Sequence, residues 1–127
     1  MGKFFVLFAV LFMAAPVFAQ NDLLVLHCEN GGTLSGVENN IGNDPFYGSV
    51  DYMDASLALI PSSTLLNYDC VFTWNNFQYQ TGQGDELADY VDGGGTVVIL
   101  GWGIAQCYGR IIDDADYCPI SGGGNMY

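Results

Sequence analysis

Residues 85–103 have the sequence DELADYVDGGGTVVILGWG, which predicts a helix, a turn and a buried strand in direct succession. The helix begins with acidic residues, which interact favourably with the positive end of the helix dipole, and it carries Leu87 and Val91 on one face. Three glycines at 93–95 then end the helix, because glycine readily adopts the left-handed conformation common at helix C-termini. The run at 96–100 is β-branched and aliphatic, which is typical of a parallel strand covered on both faces.

Three further strands are predicted upstream of this unit, at residues 22–28 (DLLVLHC), 49–53 (SVDYM) and 70–74 (CVFTW). Short helical segments, one beginning at Ser35 and one within 61–67, separate them. Strands that alternate with helices predict an α/β domain with a parallel sheet and right-handed crossovers. We expect the third and fourth strands to be central or adjacent to the first. The sequence predicts no fifth strand, so the sheet is expected to be incomplete.

The first 19 residues have the features of a cleavable secretory signal peptide. Lys3 supplies a positive charge, residues 4–13 are apolar, and Pro16 precedes a cleavage site before Gln20. The apolar run is too short to span a bilayer, which needs about 20 residues. A membrane anchor and a buried core helix are the alternatives. We therefore expect a secreted or cell-surface protein with no membrane span after cleavage.

After cleavage the chain is long enough for one domain. We expect a partial α/β domain over residues 20–120 and a disordered tail over 121–127, which is rich in glycine. The chain is a candidate for a truncated version of a larger domain.

The mature protein is strongly acidic. Loss of Lys3 with the signal peptide takes the formal net charge from −12 to −13 and leaves Arg110 as the only Lys or Arg. Because phosphate backbones are bound by Lys and Arg, this charge excludes nucleic acid as a partner.

Four cysteines enter an oxidising compartment, where disulfides form, and three pairings are open to them. Cys107 and Cys118 flank a short loop and are the predicted pair, with Cys28 as a competitor for either. Cys28 ends its strand whereas Cys70 begins another, so these two are expected to lie too far apart to bridge. The sequence holds no CxxC pair and one histidine, His27, and it predicts neither a metal site nor a cofactor.

Polar and aromatic residues follow the predicted strands at their carboxyl ends, where open α/β sheets bind ligands. Trp74 and Trp102 end neighbouring strands and are expected to form an aromatic and amide surface for a carbohydrate or a protein, or else to cover the top of the core. The predicted binding residues are His27, Glu29, Asp54, Asn75, Asn76 and Trp102.

The segments 67–76 (NYDCVFTWNN) and 85–103 resemble the class I glutamine amidotransferase-like domain, in particular its non-catalytic secreted or surface versions and the ThuA-like group. The resemblance covers roughly residues 22–120 and implies a three-layer, flavodoxin-like fold. Amidotransferases carry a G-x-C-x-G nucleophile elbow, and in this chain Gly103 occupies the position of the cysteine. A glycine cannot act as a nucleophile, and no histidine follows His27 to complete a triad. The resemblance therefore implies the fold without the activity.

The favoured hypothesis is a secreted, non-catalytic amidotransferase-like module with a binding or structural role. One alternative is a secreted hydrolase of carbohydrates or amides, which would use His27, Glu29 and Asp54. Another is a fragment of a larger protein with no function of its own. Cys107 as a displaced nucleophile is a weaker hypothesis than Cys107 in a disulfide, because a reactive thiol needs a nearby base or cation.

Overall fold

A computed structural model describes residues 21–32, 34–100, 107–114 and 116–118. The predicted signal peptide, Trp102, the elbow around Gly103 and the tail over 121–127 lie outside these residues. None of the described helices is long and apolar enough to cross a membrane. The elements are, in chain order, β1 (Asn21–Cys28), α1 (Ser35–Ile41), β2 (Tyr47–Asp54), α2 (Ser62–Leu65), β3 (Cys70–Asn75), α3 (Gln83–Asp92), β4 (Thr96–Ile99) and α4 (Arg110–Asp113).

The four strands form one sheet in the order β2-β1-β3-β4, and every neighbouring pair is parallel. This confirms the predicted parallel sheet and the position of β3 next to β1. The expectation for the fourth strand was wrong, because β4 lies at the edge of the described sheet beside β3, neither in its centre nor next to β1. β2, the next strand along the chain, pairs with one edge of β1. The following strand, β3, pairs with the opposite edge of β1. The layout of this small α/β fold is consistent with a flavodoxin-like arrangement.

Helices cover both faces of the sheet. On one face, Leu24 and Leu26 of β1 pack in a core with Leu65 of α2 and Leu87 of α3. On the other face, the alternate residues Leu23 and Val25 pack against side chains of α1. Because successive side chains of a strand point to opposite faces, a strand covered on both sides has a continuous apolar run, as β1 has over residues 23–26. Burial of the whole run Leu23–Cys28 agrees with this arrangement.

A buried glutamine fixes the connection between β2 and α2 to the start of α3. Gln83 is fully buried. Its Oε1 accepts a hydrogen bond from the Ile60 N–H at 2.9 Å, and its Nε2 donates to the Ile60 carbonyl at 3.0 Å. The side chain thereby satisfies both backbone groups of a residue in an irregular segment, which would otherwise lack partners. This clamp holds the chain that follows β2 against the helix that follows β3.

Candidate functional site

The site predicted from the sequence lies at the carboxyl ends of β1 and β3, where the direction of the chain through the sheet reverses. Such a switch point opens a crevice in which α/β proteins bind ligands. The backbone N–H groups of Asn76 and Phe77 both donate to the Cys28 carbonyl, at 3.1 and 3.0 Å. The loop after β3 is therefore tied to the end of β1, and residues on the two segments hold fixed relative positions.

Glu29, just after β1, binds two side chains of the β3 side. Its Oε1 accepts a hydrogen bond from the Trp74 Nε1 at 3.1 Å, and the Asn76 Nδ2 lies 3.0 Å from Oε1 and 2.8 Å from Oε2. Both partners are neutral donors, so the negative charge of the carboxylate is not neutralised by them. The sequence placed Glu29 and Asn76 at one edge, and the structure brings them into direct contact.

His27, Asp54 and Trp74 form a row across β2, β1 and β3. His27 is the register partner of Asp54 on one side and of Trp74 on the other, so the three side chains share one face. The His27 and Trp74 rings stack with centroids 6.5 Å apart and planes at 30°. The His27 Nδ1 lies 4.0 Å from the Asp54 Oδ2 and has no hydrogen-bond partner. His27 is only 7% exposed, so its neighbours hold the ring from both sides.

Asp54 organises the loops that follow β1 and β2. It accepts hydrogen bonds from the Gly31 N–H at 2.7 Å, the Ser56 N–H at 2.9 Å and the Ser56 hydroxyl at 2.5 Å. Burial alone would raise the pKa of this carboxyl, but the hydrogen bonds from Ser56 and Gly31 and the nearby His27 outweigh it and lower the pKa below its ordinary value. The loop that it holds contains two residues with positive φ, Asn30 at 50° and Gly31 at 76°. Asp54 therefore maintains a left-handed turn at the mouth of the site.

Two of the predicted binding residues, Asn75 and Trp102, are not part of the described surface of the site. Asn75 is 2% exposed, and its Nδ2 donates to the Phe77 carbonyl at 3.1 Å. Its side chain therefore shapes the loop after β3 from the inside and is not presented at the surface of the site. Trp102 lies outside the described residues.

A groove adjoins Glu29 on the face of the sheet covered by α1. Its volume is about 520 Å³, within the range of about 300–1,000 Å³ usual for small-ligand pockets. The residues that line it are Glu29, Leu34, Gly36, Val37, Asn40, Ile41 and Trp74.

The α1 side of this groove was missed by the sequence analysis. The available signal was the spacing of Leu34, Val37 and Ile41, which places three apolar side chains on one face of a short helix. A second and smaller cavity, of about 190 Å³, lies beside the start of α3, next to the exposed ring of Tyr108.

The cysteines are all present as thiols. Cys70 is the register partner of Leu23, at the opposite end of β1 from Cys28, so these two lie too far apart to bridge, as expected. The pairing of Cys107 with Cys118 stays a prediction. Burial, with Asp113 and Asp85 adding to it, raises the pKa of Cys107 to about 12. That thiol is protonated at neutral pH and is a poor nucleophile.

No family model, curated protein or solved structure matches this chain. The resemblance to amidotransferase-like domains therefore rests on the sequence motifs alone. Among the residues that the structure describes, no group of three or more His, Cys, Asp or Glu side chains is arranged to hold a metal ion. The chemistry available at the described edge of the sheet is that of a carboxylate, amides, an indole and an apolar groove.

Proposed function

We propose that this protein is a secreted, non-catalytic binding module of the flavodoxin-like, amidotransferase-like type, with its ligand in the groove between α1 and β3. The observation that carries the proposal is the position of Trp74. Its indole lines the groove and is held by a hydrogen bond to Glu29 and by stacking on His27. Aromatic rings with an apolar body and a fixed polar end are favoured at binding surfaces.

The absence of catalysis is supported by the residues that stand where chemistry would be expected. The resemblance puts Gly103 at the position of the nucleophile, and the raised pKa of Cys107 leaves the cysteine that is nearest to it in the sequence protonated. Secretion is supported by the features of residues 1–19. A carbohydrate or a protein segment is the ligand that the sequence analysis favoured.

The test is a binding screen of the mature chain, beginning at Gln20, on glycan and peptide arrays. Binding of any ligand that the screen identifies should be lost in Trp74→Ala and retained in Phe46→Ala. Phe46 is an exposed aromatic residue that precedes β2, at the opposite end of the strands, so its removal controls for a general loss of aromatic surface. Equal loss in both variants, or retention in Trp74→Ala, would remove the groove from the proposal.

The hydrolase alternative is favoured by one observation, the proximity of His27 to Asp54. A histidine oriented by a carboxylate is a common general base. The hypothesis expects turnover of a carbohydrate or amide substrate that disappears in His27→Asn. Glu29, the third residue of that hypothesis, binds Trp74 and Asn76. If wild type and His27→Asn are equally inactive across a substrate panel, the binding module stands.

A further inference from the structure

The groove combines three kinds of surface. Leu34, Val37 and Ile41 give it an apolar floor along α1, and Trp74 provides an aromatic wall. Glu29 stands at its polar end. None of the described residues that line the groove carries a positive charge. A ligand that fits this surface needs an apolar body and a group that tolerates a carboxylate.

The charge of the whole protein acts in the same direction. The chain has a formal net charge of −12. The guanidinium of Arg110 contacts the carboxylates of Asp85, Asp89 and Asp92 and so ties α4 to α3. Arg110 is the only arginine in the sequence, and its charge is already paired in these contacts. The field at the groove is therefore negative, and it repels phosphates and carboxylates and attracts cations.

Glu29 is an anion held in place by neutral donors. An ionised carboxylate offers about four acceptor sites, and Trp74 and Asn76 occupy three of them. The carboxylate is thus positioned beside the indole and keeps its charge for a ligand. Trp is the side chain whose π-face attracts cations most strongly. The pair Glu29 and Trp74 accordingly favours an ammonium group.

A sugar fits the groove less well. Sugars are bound through several hydrogen bonds, whereas the lining offers two polar side chains, Glu29 and Asn40. The Asn40 Nδ2 already donates to the Gly36 carbonyl at 2.7 Å. The remaining lining side chains are apolar or aromatic, which suits hydrocarbon.

We propose that the groove binds a small organic cation with an apolar body, its ammonium group beside Glu29 and Trp74 and its hydrocarbon on Leu34, Val37 and Ile41. The inference rests on the proposed binding function and names the chemical class of the ligand. It replaces the carbohydrate or protein ligand expected from the sequence with an amphiphilic amine or quaternary ammonium compound.

The test is an NMR titration of the ¹⁵N-labelled mature chain with alkyltrimethylammonium ions of increasing chain length, from ethyl to hexyl. Binding should shift the amides of residues 34–41 and the Trp74 indole N–H. Affinity should rise up to about fourfold for each methylene that reaches the apolar floor, and it should fall as salt is added. Choline should bind more tightly than 3,3-dimethylbutan-1-ol, its neutral isostere.

The matched variants are Glu29→Gln and Glu38→Gln. Both remove one negative charge, but Glu38 is an exposed residue of α1 outside the groove lining. Glu29→Gln should weaken binding of hexyltrimethylammonium by about five- to tenfold, as expected for a partly desolvated charge contact, and Glu38→Gln should leave it nearly unchanged. Dispersed amide spectra of each variant show that it folds.

Three results would overturn the ligand class: no shift with hexyltrimethylammonium, equal affinity for choline and its neutral isostere, or equal weakening in both variants. The isostere comparison uses wild-type protein and so does not depend on whether Glu29→Gln folds. If the cations fail while a glycan or peptide binds in a manner sensitive to Trp74→Ala, the ligand class is wrong and the binding function stands. If nothing binds, both proposals fail.

Discussion

Replacement of Gln83 by glutamate tests the clamp that joins the two segments beneath the site. The wild-type amide accepts from the Ile60 N–H and donates to the Ile60 carbonyl. Glutamate has nearly the same shape and retains the acceptor, but an ionised carboxylate has no proton to donate. In Gln83→Glu, one carboxylate oxygen therefore faces the Ile60 carbonyl oxygen without a hydrogen between them.

The expected loss of stability is large for a substitution of this size. An unsatisfied buried acceptor costs about 1–3 kcal/mol, and a carboxylate buried without a cationic partner adds to this until it is protonated. Since Gln83 is fully buried, we expect a loss of about 3 kcal/mol or more at neutral pH. Domains of this size have unfolding free energies of about 5–15 kcal/mol, so the variant loses a substantial part of its stability.

The loss should depend on pH with a defined sign. Burial and the facing carbonyl raise the pKa of the new carboxyl in the folded state. A group with a raised folded pKa stabilises the protein below its unfolded pKa, about 4.3 for glutamate, and this contribution is lost as pH rises through the folded value. The protonated carboxyl can donate to the Ile60 carbonyl as the amide does. Gln83→Glu should therefore approach wild-type stability near pH 4 and fall furthest below it near pH 7.5.

Urea unfolding followed by fluorescence, at both pH values, measures the difference. The control is Gln78→Glu, which adds the same charge at an exposed position in the preceding loop. Relative to this control, Gln83→Glu should have a lower urea midpoint at pH 7.5 and a smaller deficit at pH 4. If the two variants unfold at the same midpoint at both pH values, Gln83 does not clamp Ile60 in solution.

Three further predictions concern the packing, the site and the cysteines. Gly95→Ala places a Cβ against the buried ring of Tyr90, closer than van der Waals contact allows. Overpacking of this kind costs about 1–3 kcal/mol, so an unchanged urea midpoint would contradict the contact. Asp54→Asn should lower stability more at pH 7 than at pH 2.5. A carboxyl with a lowered folded pKa stabilises the protein above its unfolded value of about 3.9 and loses that contribution as pH falls through the folded value, so an equal deficit at both pH values would refute this. Peptide mapping of the mature protein under non-reducing conditions should find Cys107 joined to Cys118, and a peptide that links either of them to Cys28 or Cys70 would show that the pairing is wrong.

The strands were predictable because their signal is local. The predicted strands at 70–74 and 96–100 agree with β3 (Cys70–Asn75) and β4 (Thr96–Ile99) to within one residue at each end. Both are β-branched or aromatic runs that follow turn-forming residues. The parallel order follows from the alternation with helices, since parallel strands need crossovers. Apolar runs separated by turn-forming residues were therefore enough to predict the strands of the sheet.

Contacts between distant segments were not predictable in the same way. The Gln83 clamp joins residues 23 positions apart, and nothing near either residue indicates the pairing. The interior position of Asn75, in contrast, is predictable from the alternation of side chains along β3. Asn75 alternates with Val71 and Thr73 along β3, and all three are buried. A predicted site residue at that position of the alternation belongs to the interior.

The geometry of the site favours binding over catalysis by His27. His27 lies between Asp54 and Trp74 with 7% of its surface exposed, so a substrate could reach its ring only if those neighbours moved. A general base must come within hydrogen-bond reach of the proton that it takes. Glu29 and Trp74 are half-buried and line the groove directly, so the proposed ligand would reach them without any rearrangement. His27 stacks on the indole of Trp74, and Glu29 accepts a hydrogen bond from the indole N–H, so the proposal assigns recognition to Glu29 and Trp74 and a supporting role to His27.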